Sequence, residues 1–409
     1  MPRRAKWSCL VVVAVLTAAA PSSPDAVSAS SSPACLTDSR QSPLAIINSA
    51  PCGTYGILVT RRDTISGAEA DVTVQFMVHR PSGRPKALVV LFAGGNGNTG
   101  ITGDPATGQV FSAGMNFLVR SAELFARNGY VALTIDRPSN GPPNPAYNQY
   151  RVSAAHAHDI AAVVSRVNAS NLDVFLAGTS RGTLSVVAQY MLGVGSMLSS
   201  PVTSDAGTAL YIGFPGTPNL QPGFVRVPVQ VLYHGQDGCF VTTPANAVTL
   251  HTQFVLAGVD SQIDMLIGGF DLSGTGSIDA CDAVTFHGFL GIENSAVRAI
   301  TNRMDGILAQ IKGLYPRNRR PRARSAAVTT GVSSSVTVDL SRLVTDPDRD
   351  PLTFSLPYAT STRGATITLA GSIATYQPSQ AGITDGFVYV VSDGKKGTNA
   401  AVVRVQVVP

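Results

Sequence analysis

Three side chains have the types and the chain order that acyl transfer through a serine requires: Ser180, Asp237 and His287. This chemistry needs a nucleophile, a base that takes its proton, and an acid that orients the base. Ser180 is the middle residue of 178–182, which reads Gly-Thr-Ser-Arg-Gly and has the pattern G-x-S-x-G. In a chain with 39 glycines this pattern also arises by chance. A serine in a flexible loop is therefore the alternative, and the flanking sequence must decide.

The segments on either side of Ser180 predict a strand followed by a helix. Residues 172–177 are apolar and rich in strand formers, and residues 183–192 are apolar at helical spacing. A serine on such a sharp turn lies in strained backbone, and small neighbours let the turn close. The first N–H groups of the helix then point at the negative charge that develops beside the hydroxyl. This arrangement resembles the nucleophile elbow of the α/β-hydrolase superfamily.

The resemblance extends to the acid and the base. Residues 234–237 read His-Gly-Gln-Asp after a predicted strand, which matches the H-G-x-x-D loop that often carries the superfamily's acid, here Asp237. A turn-capping aspartate beside Gly238 is the alternative. His287 lies between the last predicted strand and the final helix, where the family's catalytic histidine lies. The less well placed candidates are Asp260, Asp264, Asp279, His79, His156, His158, His234 and His251.

An oxyanion hole is predicted from backbone N–H groups at two places. One donor is Arg181, the residue after the proposed nucleophile. The other lies in the glycine-rich loop 92–98, where Gly95 and Asn96 are the candidates, because glycine lets backbone approach a substrate closely. The sequence does not choose between these two. The loop lacks both G-x-G-x-x-G spacing and a P-loop lysine, which argues against a nucleotide site.

Four cysteines remain after the N-terminal segment that contains Cys9. An even number in an exported protein favours two disulfides. Of the three possible pairings, we predict Cys35–Cys52, which is local, and Cys239–Cys281. The second disulfide would tie the loop of the proposed acid to the loop of the proposed base. No C-x-x-C pair supports a zinc site.

Residues 1–29 are predicted to be a bacterial signal peptide. Three basic residues precede the apolar run 10–16, and small residues at 27–29 offer a cleavage site. The run is too short for a stable membrane anchor. Only 13% of the residues are charged and 44% are apolar, a composition that suits a secreted globular protein.

Residues 30–314 alternate predicted strands and helices. Strands joined by crossover helices imply a mostly parallel sheet covered on both faces, with its site at the carboxyl ends of the strands. We therefore expect an α/β fold of the α/β-hydrolase type. The predicted strands are 71–78, 87–92, 130–135, 172–177, 227–233 and 262–267, and the main predicted helices are 117–126, 154–167, 183–192 and 292–311.

The net charge of +5 lies largely outside this region. Residues 1–29 contribute +2 and residues 312–324 contribute +6, which leaves the remainder near −3. The five arginines of 315–327 lie among two prolines and small residues. We therefore predict a solvated linker rather than a surface for a polyanion or a membrane. A nucleic-acid partner is not expected, because its binding face would be folded and interleaved with aromatic side chains.

Residues 328–409 predict a small β-sandwich. They show period-two alternation and turn signals, with strands at 335–340, 352–356, 387–391 and 402–407. Residues 346–352 and 389–395 resemble the bacterial cadherin-like or Ig-like repeats of exported proteins. The aromatic side chains are assigned to the core rather than to a sugar-stacking platform: Phe354, Tyr376, Phe387 and Tyr389.

Two aspartate-rich segments are weighed as calcium sites, and neither is assigned a metal. In some relatives of the C-terminal repeats the aspartate cluster binds calcium, but here Arg349 stands where a glycine is common. Residues 271–282 follow calcium-loop spacing. However, Ser273 and Thr275 replace charged ligands, and Asp282 replaces a bidentate glutamate. An ordinary loop is predicted there.

The sequence as a whole predicts a secreted, monomeric serine hydrolase that cleaves carboxylic esters and requires no cofactor, calcium included. An appended sandwich hints at a polymeric or surface-bound ester such as a polyester, although a spacer module is the alternative. The same residues also serve peptidases and amidases. A non-catalytic adhesion or matrix protein that kept a hydrolase fold is the remaining hypothesis.

Overall fold

Eight strands form one mixed sheet in the computed structural model of the protein, which describes residues 53–143, 146–202, 204–205, 208–209 and 222–409. The predicted signal peptide and the predicted Cys35–Cys52 pair lie outside these residues. Across the sheet the order is β1-β2-β4-β3-β5-β6-β7-β8. The strands are β1 (Thr54–Ile65), β2 (Ala68–His79), β3 (Leu88–Phe92), β4 (Val131–Ile135), β5 (Val174–Ser180), β6 (Gly195–Pro201), β7 (Val229–His234) and β8 (Ser261–Leu266).

Strand directions place the carboxyl ends of the central strands at one edge of the sheet. β2 runs antiparallel to β1 and β4, and each pairing from β4 to β8 is parallel. Every residue of β3, β4 and β5 is buried, as their continuous apolar sequences predict for strands covered on both faces. The loops that follow β3, β5 and β7 therefore emerge at one edge.

Helices cover both faces of this sheet. The helices α4, α5 and α6 contribute to the core on one face, and α1, α2 and α7 contribute to the core on the other. The predicted helix 117–126 is divided at Ser121 into α1 and α2. The helices are α1 (Phe117–Arg120), α2 (Ala122–Arg127), α3 (Ala146–Arg151), α4 (Ala154–Val167), α5 (Gly182–Ala188), α6 (Pro244–Leu256) and α7 (Glu293–Leu314).

The C-terminal β domain has two sheets around a separate core. One sheet has the order β9-β15-β14-β11, and the other has the order β10-β13-β12 for the strands β9 (Ala326–Gly331), β10 (Val336–Asp339), β11 (Thr353–Ser355), β12 (Thr366–Ala370), β13 (Ile373–Gln377), β14 (Ile383–Ser392) and β15 (Thr398–Val408). Tyr376, Phe387 and Tyr389 are buried between the sheets, and Phe354 packs against them. Their predicted role in the core is confirmed.

The C-terminal β domain packs directly on the region that contains the eight-stranded sheet. The described residues from Gly53 to Pro409 belong to one compact unit. Val388, Val390 and Val402 belong to the same hydrophobic cluster as Ile160 of α4. At the edge of this contact, the Arg363 guanidinium donates to Thr64 and Glu69 of the β1–β2 hairpin. One face of the β14–β15 pair is therefore part of the core that supports α4.

Arg320 departs from the predicted solvated linker. Most residues of 315–327 are exposed or half-buried, but Arg320 has only 9% of its surface exposed. Its guanidinium donates to the carbonyl oxygens of Leu172, before β5, and Thr398, in β15. A guanidinium has five donors in a planar fork, which lets one side chain bond both regions. This contact depends on tertiary structure, and the composition of the segment does not reveal it.

His158 of α4 is a buried titratable group at the contact between the two regions. Its ring lies against Gly386 of β14, where an added Cβ would approach Nε2 to 2.8 Å. Neither ring nitrogen hydrogen-bonds a described group. Burial, with smaller contributions from the positive charges of Arg61 and Arg404, lowers the pKa of His158 to about 3.

Acidification is therefore expected to destabilise the protein through His158. Below the ordinary pKa of 6.5, the unfolded chain binds a proton that the folded chain rejects. Above that pH, His158 does not lower the free energy of unfolding. Below it, the free energy of unfolding falls by up to about 1.4 kcal/mol per pH unit. Urea unfolding at about pH 7 and about pH 5 measures the loss, which should be smaller by about 2 kcal/mol in His158→Leu. Equal losses in the two proteins would contradict this account.

Candidate active site

Ser180 ends β5 with the backbone conformation that a nucleophile elbow requires. Its φ is +52°, in the left-handed region that residues with a Cβ rarely occupy. A Cβ on Gly178 would approach the carbonyl oxygen of Gly182 to 2.5 Å, and one on Gly182 would collide with the carbonyl oxygen of Phe92. Both flanking positions of the pentapeptide therefore require glycine. The chance explanation of the motif does not account for this geometry.

The glycine-rich loop after β3 lies directly against Ser180. An added Cβ on Gly94 would come within 2.8 Å of the Ser180 Cβ. The loop closes as a turn, in which Gly97 N–H donates to the Gly94 carbonyl at 3.0 Å, and Gly95 has a φ of +53°. The N–H groups of Gly95 and Asn96, the two candidates in this loop, have no acceptor in the described part of the chain.

Asp237 and His287 meet across two loops. His287 Nδ1 lies 3.0 Å from Asp237 Oδ2, and both side chains are buried. The Thr242 hydroxyl donates to Asp237 Oδ2 at 2.9 Å and lies 2.9 Å from His287 Nδ1. Backbone N–H of Cys239 donates to Asp237 Oδ1 at 2.9 Å. With Nδ1–H directed at the carboxylate, Nε2 of His287 is left as the acceptor.

Ser180 and His287 line one shared, partly open cavity. Gly95 lines it as well, whereas Asn96 is not among the residues on its wall. The two predicted loop donors are thus placed differently, with Gly95 at the cavity. The full set of lining residues is Gly94, Gly95, Asn116, Phe117, Thr179, Ser180, Cys281, Ala283, His287 and Gly288.

The predicted disulfide between Cys239 and Cys281 is formed. Cys239 is fully buried beside Asp237, and Cys281 lies on the wall of the cavity. The bond joins the loop that follows β7 to the loop that carries His287. It therefore restricts the separation of the two loops that supply the Asp237–His287 pair.

Arg120 holds the histidine loop from the opposite side, and the sequence analysis did not identify it. Its guanidinium donates to the carbonyl oxygens of Ala283 at 3.0 Å and Gly288 at 2.6 Å, on either side of His287. It also pairs with Glu293, and both side chains are 4% exposed. From sequence, a single arginine in a short helix would be assigned to the surface. Only these long-range contacts show that Arg120 bonds the loop that carries His287.

Six of the other candidate acids and histidines have partners outside the Asp237–His287 pair. Asp260 pairs with Arg303, Asp264 accepts from Gln230 and Gln262, and Asp279 accepts from the backbone of its own loop. The rings of the histidines make the following contacts: His156 with Ser185, His234 with the Gly268 carbonyl, and His251 with Ser261.

The aspartates of the C-terminal β domain converge around a lysine. One carboxylate oxygen from each of Asp346, Asp350 and Asp393 lies within 4.8 Å of the others. Lys395 Nζ donates to Asp350 Oδ1 at 2.5 Å, so an ammonium group already supplies positive charge there. Arg349 has a φ of +62°, which explains why glycine suits this position. In the other calcium-like segment, the carboxylates of Asp271, Asp279 and Asp282 accept from backbone N–H groups of their own loop.

The C-terminal residues have a recognisable family. Residues 318–406 match the family model of a bacterial Ig domain. We refer to this region below as the Ig domain. The match agrees with the predicted resemblance and with the two-sheet architecture. No curated protein matches the chain.

Solved structures similar to this chain include three serine hydrolases or esterases. A thermophilic esterase from Thermogutta terrifontis is 17% identical, with 65% of this chain and 95% of that chain covered and a TM-score of 0.39. A serine hydrolase homologue from Coxiella burnetii is 18% identical, with 56% and 91% covered and a TM-score of 0.36. A carboxyl esterase from Bacillus coagulans is 12% identical, with 62% and 99% covered and a TM-score of 0.40.

The mixed eight-stranded sheet with helices on both faces is consistent with the predicted α/β-hydrolase fold, and an Ig-like β-sandwich follows it. At these identities and TM-scores the chemistry of this chain must be inferred from its own residues. Among the described helices, none combines the length and the apolar character needed to cross a bilayer.

Proposed function

We propose that this protein is a secreted serine hydrolase that cleaves carboxylic esters through an acyl-enzyme on Ser180. The observation that carries the proposal is the buried hydrogen bond between His287 Nδ1 and Asp237 Oδ2, on the same cavity as Ser180. A strained serine, an oriented imidazole and available backbone N–H groups are together the parts that acyl transfer needs. Neither a cofactor nor a metal is needed for this chemistry.

The proposed mechanism has two half-reactions. His287 Nε2 takes the proton of the Ser180 hydroxyl as Oγ bonds to the ester carbonyl carbon, and the carbonyl oxygen becomes an oxyanion. The N–H groups of Gly95 and Arg181 donate to this oxyanion, an interaction worth about 10²–10³ in kcat for each donor. The intermediate then expels the alcohol, which takes its proton from His287. Water repeats the sequence on the acyl-enzyme and releases the acid and free Ser180.

Asp237 supports the imidazolium that forms during each half-reaction. Its Oδ2 accepts from His287 Nδ1, and its Oδ1 is held by the backbone N–H of Cys239. A buried carboxylate with both oxygens bonded is preorganised, so it needs no rearrangement when the histidine becomes charged. Thr242 adds a hydroxyl that contacts both groups.

The Ig domain and the disulfide support an extracellular location, because disulfides form in oxidising compartments. We also propose that the natural substrate is a polymeric or surface-bound ester, such as a polyester, and that the protein acts as a monomer.

A peptidase or amidase is the second candidate function, since the same residues would cleave an amide. The third is a non-catalytic adhesion protein.

A p-nitrophenyl acyl ester series, short to long, tested beside matched anilides and peptides separates these functions. We expect the esters to be hydrolysed, and an organophosphorus probe to label Ser180 as located by peptide mapping. A chelator should leave the rate unchanged. Cleavage of anilides or peptides alone would favour the amidase. A protein inert toward every substrate and unlabelled at Ser180 would leave the adhesion protein as the better explanation.

A further inference from the structure

Arg151, at the end of α3, bonds both elements that carry the proposed oxyanion donors. Its Nη2 donates to the Ala93 carbonyl at 2.8 Å, and the carbonyl oxygens of Gly94 and Gly95 lie 3.4 and 3.5 Å from the same nitrogen. Its Nη1 donates to Ser185 Oγ at 2.9 Å. Ser185 lies on α5, whose N-terminus follows Ser180. One side chain therefore links the glycine-rich loop to the elbow helix.

The direction of these bonds matters for the oxyanion hole. In a trans peptide the carbonyl and the N–H of the same unit point in opposite directions. The Gly94 carbonyl turned toward Arg151 therefore directs the Gly95 N–H away from Arg151. Gly95 lies on the wall of the Ser180 cavity. The orientation of this one peptide unit therefore fixes two things. The Gly94 carbonyl faces the Arg151 guanidinium, and the Gly95 N–H faces the opposite way.

Arg151 is a buried cation among neutral partners. Only 1% of its surface is exposed, and no described carboxylate bonds its guanidinium. Besides the carbonyl oxygens and Ser185, it contacts the ring of Tyr147, with 4.7 Å from Cζ to the ring centroid. Burial lowers its pKa to about 10, so the group remains a cation at neutral pH. Such a charge is costly to bury. Stability alone does not account for its position.

The Ig domain holds the turn that presents Arg151. The Tyr358 hydroxyl donates to the Val152 carbonyl at 2.9 Å and accepts from Gln189 Nε2 at 3.0 Å. Gln189 is buried, and its Nε2 also lies 3.3 Å from the Arg151 carbonyl and 3.4 Å from the Ser153 carbonyl. The Ig domain is therefore linked to the glycine-rich loop by hydrogen bonds to the backbone of residues 151–153 and by the Arg151 side chain itself.

We propose that Arg151 is the positioning residue of the oxyanion hole and that Tyr358 of the Ig domain keeps it in place. The inference rests on the proposed serine-esterase function and adds a role for the Ig domain within it. Loss of this support leaves substrate entry intact and misplaces the N–H donors, so kcat falls while KM is retained. A spacer domain would affect neither constant on a soluble ester.

The test uses the full chain and p-nitrophenyl acetate. Because Arg151→Met removes the guanidinium that donates to the Ala93 carbonyl, we expect kcat to fall by about 10- to 100-fold with KM within about twofold. Arg151→Lys keeps the charge and should recover part of that loss. Tyr358→Phe removes one hydroxyl and should lower kcat by about 3- to 10-fold. Phosphonylation of Ser180 by an organophosphorus probe should slow in parallel, because the phosphonyl oxygen uses the same N–H groups.

Tyr389→Phe is the matched control, because its hydroxyl donates to the Arg324 carbonyl at 2.9 Å without contacting the catalytic region. It should lower Tm and leave kcat unchanged. If Arg151→Met fails to fold, Tyr358→Phe and Arg151→Lys still decide. Wild-type kcat in both of these variants, or a change in KM alone, would overturn the inference. The proposed function would still stand if the wild type hydrolyses the ester. A wild type inert toward the ester and the probe would overturn both.

Discussion

Ester hydrolysis is expected to fall by about 10⁴- to 10⁶-fold in kcat when Ser180 is replaced with alanine. The alanine keeps the elbow but removes the atom that forms the acyl bond. What remains is the rate that bound water achieves beside the oxyanion donors, which is still about 10³- to 10⁴-fold above solution. Steady-state kinetics on the best p-nitrophenyl ester, with active-site titration of the wild type, measure the loss.

His287→Ala should cause a loss of similar size, and the double variant should be little worse than either single one. Nucleophile and base act as one unit, so their effects are not additive. Ser196→Ala is the matched control, because Ser196 is buried on the neighbouring strand β6 and its hydroxyl bonds no described group. It should retain wild-type kcat. Activity that survives in Ser180→Ala would mean that the nucleophile is wrongly assigned.

Removal of the Cys239–Cys281 disulfide is expected to lower the free energy of unfolding by about 4 kcal/mol. The two cysteines are separated by 42 residues, and a loop of that length loses about this much chain entropy in the unfolded state when it is closed. The Cys239→Ser/Cys281→Ser double variant should also lose about tenfold in kcat, since small displacements of Asp237 relative to His287 are costly. Urea unfolding and ester kinetics on the same preparations measure both effects.

Reductant provides the control for this prediction. It should lower the stability of the wild type toward that of the double variant. Any further loss that it causes in the double variant reports on the remaining predicted pair, Cys35–Cys52. A double variant with the wild-type urea midpoint and kcat would show that the disulfide constrains neither the fold nor the Asp237–His287 pair.

The strands and helices that the sequence predicts accurately are those whose burial or capping depends on residues within the element or next to it. β3, β4 and β5 are covered on both faces, so their sequences are continuously apolar. The helix α4 was predicted with the observed bounds, since Ser153 caps its first turn by accepting from the His156 N–H. In these elements, the local sequence is enough to predict both the burial of the strands and the start of the helix.

The sequence analysis did not predict β1 and β6, because tertiary contacts rather than local sequence stabilise these two strands of the large sheet. β6 reads Gly-Ser-Met-Leu-Ser-Ser-Pro, a segment with weak strand character, yet each of its residues is buried between β5 and β7. β1 carries Arg61, Arg62 and Asp63 at the edge of the sheet. Arg61 is nevertheless buried, because it pairs with Asp159 of α4. Neither environment can be read from the strand itself.

The residues that do chemistry in the proposed mechanism can be recognised from the sequence. Ser180, Asp237 and His287 stand in local motifs, since an elbow, an acid loop and a histidine loop each need particular neighbours. The side chains that hold them are visible only in the folded protein: Thr242 contacts the Asp237–His287 pair, Arg120 bonds the histidine loop, and Arg151 bonds the glycine-rich loop. These three side chains act through hydrogen bonds to groups far away in the chain. Their partners exist only after the sheet has brought its loops to one edge, so no local pattern marks them.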